Sequence, residues 1–461
     1  MKQAQASEKA VLRKKNAFSR MLAQWDLQIL VVPGILLVLL FSYVPMYGVV
    51  MGFQDFQLGD FPGFSQWVGF KHFQTMFADK YFGLAMRNTL VISALKMFIG
   101  FPLPILFAVL LNEMNFQPLK KTVQTVSYLP HFISWVVCAT LMFDLMSTDG
   151  GAINEFLMWI GVVKEPIGFF TEGKYFWGIT LCTDIWKELG WNAIIFISAI
   201  TSISQDMYEA ADIDGATRAQ KMWHITIKSI KPTIILMFIF QVGGILNANF
   251  DQIMMLTKQM GNSMLKEYAD VLDTFIYRLG VSQGRFSFAA AAGLFKSIVN
   301  FALLLGSNYV AGKFGEGGNR EMAKNPNKIR AKRVASDYVI DIIMIVTIVL
   351  VLVLTLYPFL NSLAISLNDS NDTTLGGLTI YPRKFTWRNY ELVFTNPKIW
   401  MAYFITIART VLGTVGGVLI TGMLAFAISR TNLVGKKVYA MLCLIPMYFG
   451  GGLMPTYFLI L

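Results

Sequence analysis

Nine stretches of this chain are long and poor in charge: about 27–50, 85–111, 125–146, 178–203, 230–250, 288–312, 338–360, 402–428 and 437–461. A bilayer-spanning helix needs roughly 20 mostly apolar residues. The pattern therefore predicts an all-α, polytopic membrane helix bundle of about nine spans. The first stretch carries no charge from Leu27 to Val50 and lacks a small-residue cleavage site, so it reads as a retained span and not as a signal peptide.

The polar segments between the spans carry an orientation signal. Lys and Arg collect on the cytoplasmic side. With the N-terminus inside, the inner segments 1–26, 112–124, 204–229, 313–337 and 429–437 hold 21 Lys and Arg. The outer segments 51–84, 147–177, 251–287 and 361–401 are longer in total yet hold 12. The N-terminus is expected inside and Leu461 outside.

The pattern also repeats. Phe73-Gln-Thr-Met-Phe77 recurs as Tyr390-Glu-Leu-Val-Phe394, an offset of 317. Leu119-Lys-Lys121 recurs as Gly435-Lys-Lys437, and Tyr128-Leu-Pro130 as Leu444-Ile-Pro446, an offset of 316. Such an offset describes parallel repeats in one membrane orientation. Residues 313–337, basic and without an apolar run, read as a cytoplasmic linker between a six-span unit and a second unit of three spans. The second unit is expected to be a partial copy.

Composition sharpens the class. Of 461 residues, 55% are hydrophobic and 15% charged, and the mean hydropathy is +0.53. Soluble domains carry about 25% charged residues, and disorder needs low hydrophobicity with high charge. Three cysteines without CxxC spacing and three histidines argue against a disulfide scaffold or a metal site. The net charge of +11 would suggest nucleic acid in a soluble protein; here the cytoplasmic loops account for it, and no nucleic-acid partner is expected. No GxxxxGK[ST] phosphate loop occurs, and no catalytic arrangement stands out. The soluble segments are under about 45 residues, too short for an ATPase domain of ordinary size. The chain is expected to be no enzyme and to bind no cofactor; ATP, if used, is used by another chain.

One inner loop carries a specific motif. Glu209-Ala210-Ala211 is followed after three residues by Gly215 and after nine more by Ile225. The helix formers before Gly215 predict a short helix, a turn, then a second amphipathic stretch. This spacing resembles the EAA loop, EAA-x3-G-x9-I-x-L-P, of permease subunits of binding-protein-dependent ABC importers. Ile227 and Lys228 depart from the pattern at its Leu and Pro. Residues 176–203, 240–257 (FQVGGILNANFDQIMMLT) and 289–297 (AAAAGLFKS) resemble carbohydrate-uptake permeases, closest to the class importing complex or acidic oligosaccharides. Residues 338–461 resemble the partner permease of that class, through Tyr357–Phe359 and Gly451–Tyr457.

The resemblance implies a type I ABC importer permease fold. Its core would span about 85–312 within a permease domain at 27–312, with a coupling loop at 206–228, after a basic N-terminus at 1–26 and before the truncated partner domain at 338–461. It implies that Glu209, Ala210, Ala211, Gly215 and Ile225 contact a cytoplasmic ABC ATPase dimer. It further implies a second permease subunit, an extracytoplasmic sugar-binding protein, an oligosaccharide cargo and residence in a bacterial cell membrane.

Polar residues inside the spans are candidates for the sugar path. Asp184, Lys187, Glu188, Trp191 and Asn192 share one helical face, and charges at membrane depth face a protein interior or water. The same stripe reads also as an internal pairing of Lys187 with Asp184 or Glu188 that fixes packing. Asn247, Asn249 and Asp251 end the fifth span and offer amide and carboxylate partners to a sugar; helix packing uses such residues too. Lys96 stands near the centre of the second span without a sequence explanation. Tyr128, His131 and Trp135 read as belt or packing residues more than as sugar ligands. Two other functions fit the composition: an ion-coupled secondary transporter with Asp184 or Glu188 as relay, and a receptor or scaffold.

Overall fold

The computed structural model describes residues 17–57, 59, 62–114, 116–315, 335–374, 377–448 and 452. Most of the expected basic N-terminus, of the 313–337 linker and of Gly451–Tyr457 lies outside the described residues. In chain order the main helices are α1 (Trp25–Phe53), α2 (Lys80–Asn112), α3 (Gln117–Phe132), α4 (Trp135–Leu145), α5 (Phe176–Thr201), α6 (Gln205–Ile213), α7 (Arg218–Gly243), α8 (Phe250–Leu256), α9 (Phe286–Gly315), α10 (Ala335–Ser366), α11 (Pro397–Ser429) and α12 (Lys436–Tyr448).

Six helices among the described residues, α1, α2, α7, α9, α10 and α11, are long and apolar enough to cross a membrane. The pair α3–α4 would make a seventh if it counts as one bent span. Of the nine expected spans, the fourth is α5, whose 26 residues have the length but carry Asp184, Lys187 and Glu188 midway. The ninth is represented by the 13 residues of α12, the remainder lying outside the described residues.

The third expected span, 125–146, is not straight. It breaks into α3 and α4, bent by 103°. Ile133 is extended (φ −81°, ψ 147°), and the Ser134 hydroxyl accepts from the Val137 amide, starting a new helix. An N-cap serine supplies the acceptor that the first turn otherwise lacks.

The chain forms two compact units. One comprises Ala78–Phe275 and Ala302–Glu391. Its core joins Phe107 and Leu111 of α2, Phe196 and Ile200 of α5 and Ile230 of α7 with Met344, Ile348 and Val351 of α10. A second cluster in this unit gathers Ile92, Met142, Phe176, Ile253 and Leu256. Helix association in lipid rests on close packing because lipid tails already satisfy apolar side chains. Gly190 shows this: a Cβ there would overlap the Ser127 carbonyl, so glycine lets α5 lie against the backbone of α3.

The other unit comprises Met1–Phe77, Ile276–Phe301 and Leu392–Leu461. Within it Val31 of α1 packs with Ala427 of α11, Leu433 of the connection between α11 and α12, and Tyr439 of α12. Gln24 donates to the Asn432 carbonyl at 3.0 Å, and Tyr439 donates to Gln28 Oε1 at 2.7 Å.

The sequence repeat has a structural counterpart. An antiparallel bridge joins Gln54 to Trp67 and another joins Asn368 to Phe385. A short helix follows each, Lys71–Ala78 and Arg388–Phe394, and then a long one, α2 and α11. Each bridge is anchored by a fully buried amide side chain: Gln54 Oε1 accepts from the Gly63 amide at 2.9 Å, and Asn368 Oδ1 from the Lys384 amide at 2.7 Å.

Candidate functional site

The charged stripe of α5 sits at the junction of α2, α3, α4 and α7. A proline-containing α2 loosens into a π-turn at Lys96–Gly100, a local widening that recurs at functional sites. There Lys96, 9% exposed, directs its ammonium to Asp184 Oδ1 at 2.6 Å and to Gln252 Oε1 at 2.7 Å. The Gln252 amide is held in turn by the Thr180 carbonyl at 2.7 Å and the Thr183 hydroxyl at 2.8 Å. Lys96 is thus paired with a residue 88 positions away, which no local spacing reveals.

Lys187 meets one of the two partners expected within the stripe, Glu188, only at 3.8 Å, and its closer contacts lie elsewhere. Its ammonium, 5% exposed, donates to the carbonyls of Pro130 at 3.1 Å, His131 at 2.6 Å and Ile133 at 2.8 Å. These are last-turn carbonyls of α3 and the first beyond it, groups that a helix end leaves without partners. Glu188 Oε1 lies 3.8 Å from the ammonium and is a secondary neighbour. Asp184 belongs to Lys96. Glu188 Oε2 pairs with His131 Nδ1 at 2.7 Å, and the Trp191 ring stacks on His131 at 4.1 Å and 3°. Three residues of one α5 face therefore grip the break between α3 and α4. Trp135, first in α4, lies 5.5 Å from the Lys187 ammonium.

Beside this grip lies a cavity of about 260 Å³. Lys96, Asp184, Glu188, Asn192 and Gln241 are its polar lining, with Phe101 and Phe240 among the apolar residues. Of the candidates, Asp184, Glu188 and Asn192 line it; Lys187 is turned to the α3 carbonyls, and Trp191 is engaged with His131. Asn247, Asn249 and Asp251 are not among its lining residues. Asn249 sits at φ +65° and caps α8 by accepting from the Gln252 amide, and Asp251 occupies the first turn of that helix. The sequence singles out Lys96 as a mid-span lysine without giving its partner, and it gives no sign of Gln241 or Gln252.

The loop 204–227 forms a second feature. Ser204 caps α6 by accepting from the Asp206 amide, and α6 carries Glu209 and Ala210 exposed and Ala211 half-buried. Gly215 follows at φ +76°, a left-handed conformation that glycine adopts without penalty. Thr217 and Gln220 form a capping box that starts α7. Tyr208 and Thr226 hydroxyls meet at 2.9 Å, and Lys221 pairs with Asp212 at 2.6 Å, folding the two arms together. Ala211, Asp214, Gly215, Lys221 and half-buried Ile225 line an open groove of about 410 Å³. Ile213 and Trp223 stand exposed at 57% and 66%. Arg218 ties the loop to the membrane helices, through Glu113 at the end of α2 (3.2 Å) and Asp341 in α10.

A family profile described as "Binding-protein-dependent transport system inner membrane component" matches residues 100–314. The chain is similar to the polygalacturonan/rhamnogalacturonan transport system permease protein YteP of Bacillus subtilis (strain 168), 42% identical over 66% of this chain and 94% of that protein. It is also similar to the arabinooligosaccharides transport system permease protein AraP of Halalkalibacterium halodurans, 29% identical over 63% of this chain and 88% of that one. Among solved structures it resembles a chain of a bacterial ABC transporter involved in the import of the acidic polysaccharide alginate. There the identity is 37%, with a TM-score of 0.60 over 65% of this chain and 99% of that chain.

Proposed function

The chain belongs to the family of inner-membrane components of binding-protein-dependent transport systems, and from that premise we propose how it moves its cargo. It is a multi-pass membrane permease subunit of an ATP-driven importer of oligosaccharides. ATP is hydrolysed by separate ATPase subunits, and an extracytoplasmic binding protein delivers the sugar. A second permease completes the membrane pathway, and the N-terminus lies inside the cell.

The observation that carries the reading is the loop of α6 and the start of α7. It presents a short helix, a glycine turn and a groove beside exposed Ile213 and Trp223, anchored to the membrane helices by Arg218. Exposed apolar side chains around a groove mark a protein-binding surface. Glu209, Ala210, Ala211, Gly215 and Ile225 make the ATPase contact. Closure of the ATPase pair on ATP pushes α6, and Arg218 passes that motion to α2 and α10. The sugar passes the cavity bordered by Asp184, Glu188 and Asn192, where hydroxyls meet carboxylates and amides. An ion relay fits less well, because both cavity carboxylates are already held, Asp184 by Lys96 and Glu188 by His131.

Co-purification tests the coupling surface. The chain extracted in mild detergent should retain a nucleotide-binding ATPase, and Trp223→Ser with Ile213→Ser should lose it while the protein still inserts. Retention of the ATPase by that double variant would move the contact elsewhere.

A further inference from the structure

The second repeat meets the first through two backbone carbonyls that proline has left without their helical donors. Among the described residues, the helices of the second repeat hold two interior prolines, Pro358 in α10 and Pro446 in α12. Proline has no N–H, so the carbonyl four residues earlier loses its helical partner. Those carbonyls belong to Leu354 and Leu442. Each accepts a hydrogen bond from an aromatic side chain of the first repeat. Trp186 Nε1 of α5 donates to the Leu354 carbonyl at 2.8 Å, and the Tyr43 hydroxyl of α1 donates to the Leu442 carbonyl at 3.2 Å. The two contacts lie within different compact units and arise independently.

At membrane depth such a donor decides between partners. Hydrocarbon offers no water to a freed carbonyl, so a neighbouring helix has to satisfy it. The apolar seam of α10, Met344, Ile348 and Val351, discriminates little by itself, because lipid tails suit the same side chains. The indole N–H is more selective. It favours a span whose proline stands at this register, and the same span turned or shifted away keeps an unsatisfied acceptor. Phe359, next to the proline, flanks the contact at 6.2 Å from the Trp186 ring. Tyr43 ends a π-turn of α1, Leu39–Tyr43, a local widening of the kind found at functional sites. We propose that Trp186 and Tyr43 determine which spans the first repeat accepts: they recognise permease helices that carry a proline four residues beyond the contacted carbonyl. The second repeat of this chain is the partner that fits, and the recognition resides in these contacts and not in the covalent connection.

The test uses the full chain with a protease site placed between Gly315 and Ala335, folded in mild detergent and then cut. The two pieces should stay together after cutting, and release of the C-terminal piece on adding dodecyl sulfate gives a dissociation ratio. Trp186→Phe keeps a ring and removes the N–H; it should raise that ratio about three- to tenfold at fixed dodecyl sulfate. Tyr43→Phe should raise it about two- to threefold, its bond being the longer one. Pro358→Ala returns an N–H to α10 and should shrink the effect of Trp186→Phe below about twofold, and Pro446→Ala should likewise erase that of Tyr43→Phe. Alanine is the better helix former, so both proline variants should fold at least as well as the unaltered chain. A ring that served packing alone would lose as much in either background. Phenylalanine variants that leave the ratio unchanged, losses of equal size in the proline and alanine backgrounds, or pieces that part on cutting alone would overturn the inference.

Discussion

Replacing Lys187 by Met tests whether its ammonium serves the helix break or an ion pair. The substitution keeps an unbranched apolar stem and removes a donor to three carbonyls at 2.6–3.1 Å. A hydrogen bond to a charged group contributes about 1.5–3 kcal/mol, and a stranded buried acceptor costs about 1–3 kcal/mol. The losses do not add in full, because burying Lys187 at 5% exposure itself carried a desolvation cost that the variant escapes. A net loss of about 2–4 kcal/mol follows from these opposing terms. Lys187→Arg keeps the charge, but its planar fork cannot converge on three carbonyls around one point, so this variant should lose about half as much. Glu188→Gln removes a partner at 3.8 Å, and its double-mutant cycle with Lys187→Met should show a coupling below about 1 kcal/mol. The assay is reversible denaturant unfolding of the reconstituted chain, followed by far-ultraviolet circular dichroism. Lys187→Met within about 0.5 kcal/mol of the unaltered chain, or a coupling above about 2 kcal/mol, would refute the carbonyl-capping account.

Other expectations follow from single contacts. Gly190→Ala forces a Cβ into the Ser127 carbonyl and should cost about 1–3 kcal/mol or part α5 from α3, read by unfolding and by cysteine cross-linking between the two helices. Gly215→Val places a β-branched residue at φ +76°, a local strain of about 1–3 kcal/mol; the protein should insert but lose uptake, and normal uptake would sink the coupling assignment. Arg218→Gln unties the loop from Glu113 and Asp341 and should lower sugar moved per ATP several-fold without releasing the ATPase. Asp372, outside the long helices, is held below the ordinary carboxylate range by the Asn368 amide and the Arg383 guanidinium. Its contribution is therefore present above its unfolded value of about 3.9 and lost as pH falls through the lowered folded value. Hydrogen exchange in 367–391 should rise only in that acid range, and Arg383→Gln should move the rise to higher pH.

The sequence made the helices legible because apolar runs of spanning length have few other uses: α1, α2, α9, α10 and α11 agree with their expected spans to within about six residues at either end, whereas α7 runs from Arg218 to Gly243 where a span over 230–250 was expected. The shape of the loop 204–227 was legible for a local reason: a helix, a glycine turn and a capped restart are encoded within about twenty residues. The cavity was only half legible. Helical spacing put Asp184, Lys187 and Glu188 on one face and gave the Lys187–Glu188 neighbours at 3.8 Å, but the shorter contacts of all three go to α2 and to the end of α3. The break at Ile133–Ser134 was signalled by Pro130 and a capping serine, yet an unbroken apolar run outweighed both. Asn249 illustrates the reverse case, an amide at a span end that serves its own backbone by capping α8.

The central claim is that ATP hydrolysed by a partner ATPase drives oligosaccharide inward through this chain. The direct measurement is labelled-oligosaccharide uptake into proteoliposomes holding the chain with its ATPase, partner permease and binding protein, with ATP supplied on the ATPase side. The account predicts uptake that requires ATP, stops with vanadate, persists when proton and sodium gradients are collapsed by ionophores, and disappears with Gly215→Val. Uptake that continues without ATP and follows an imposed ion gradient would contradict it.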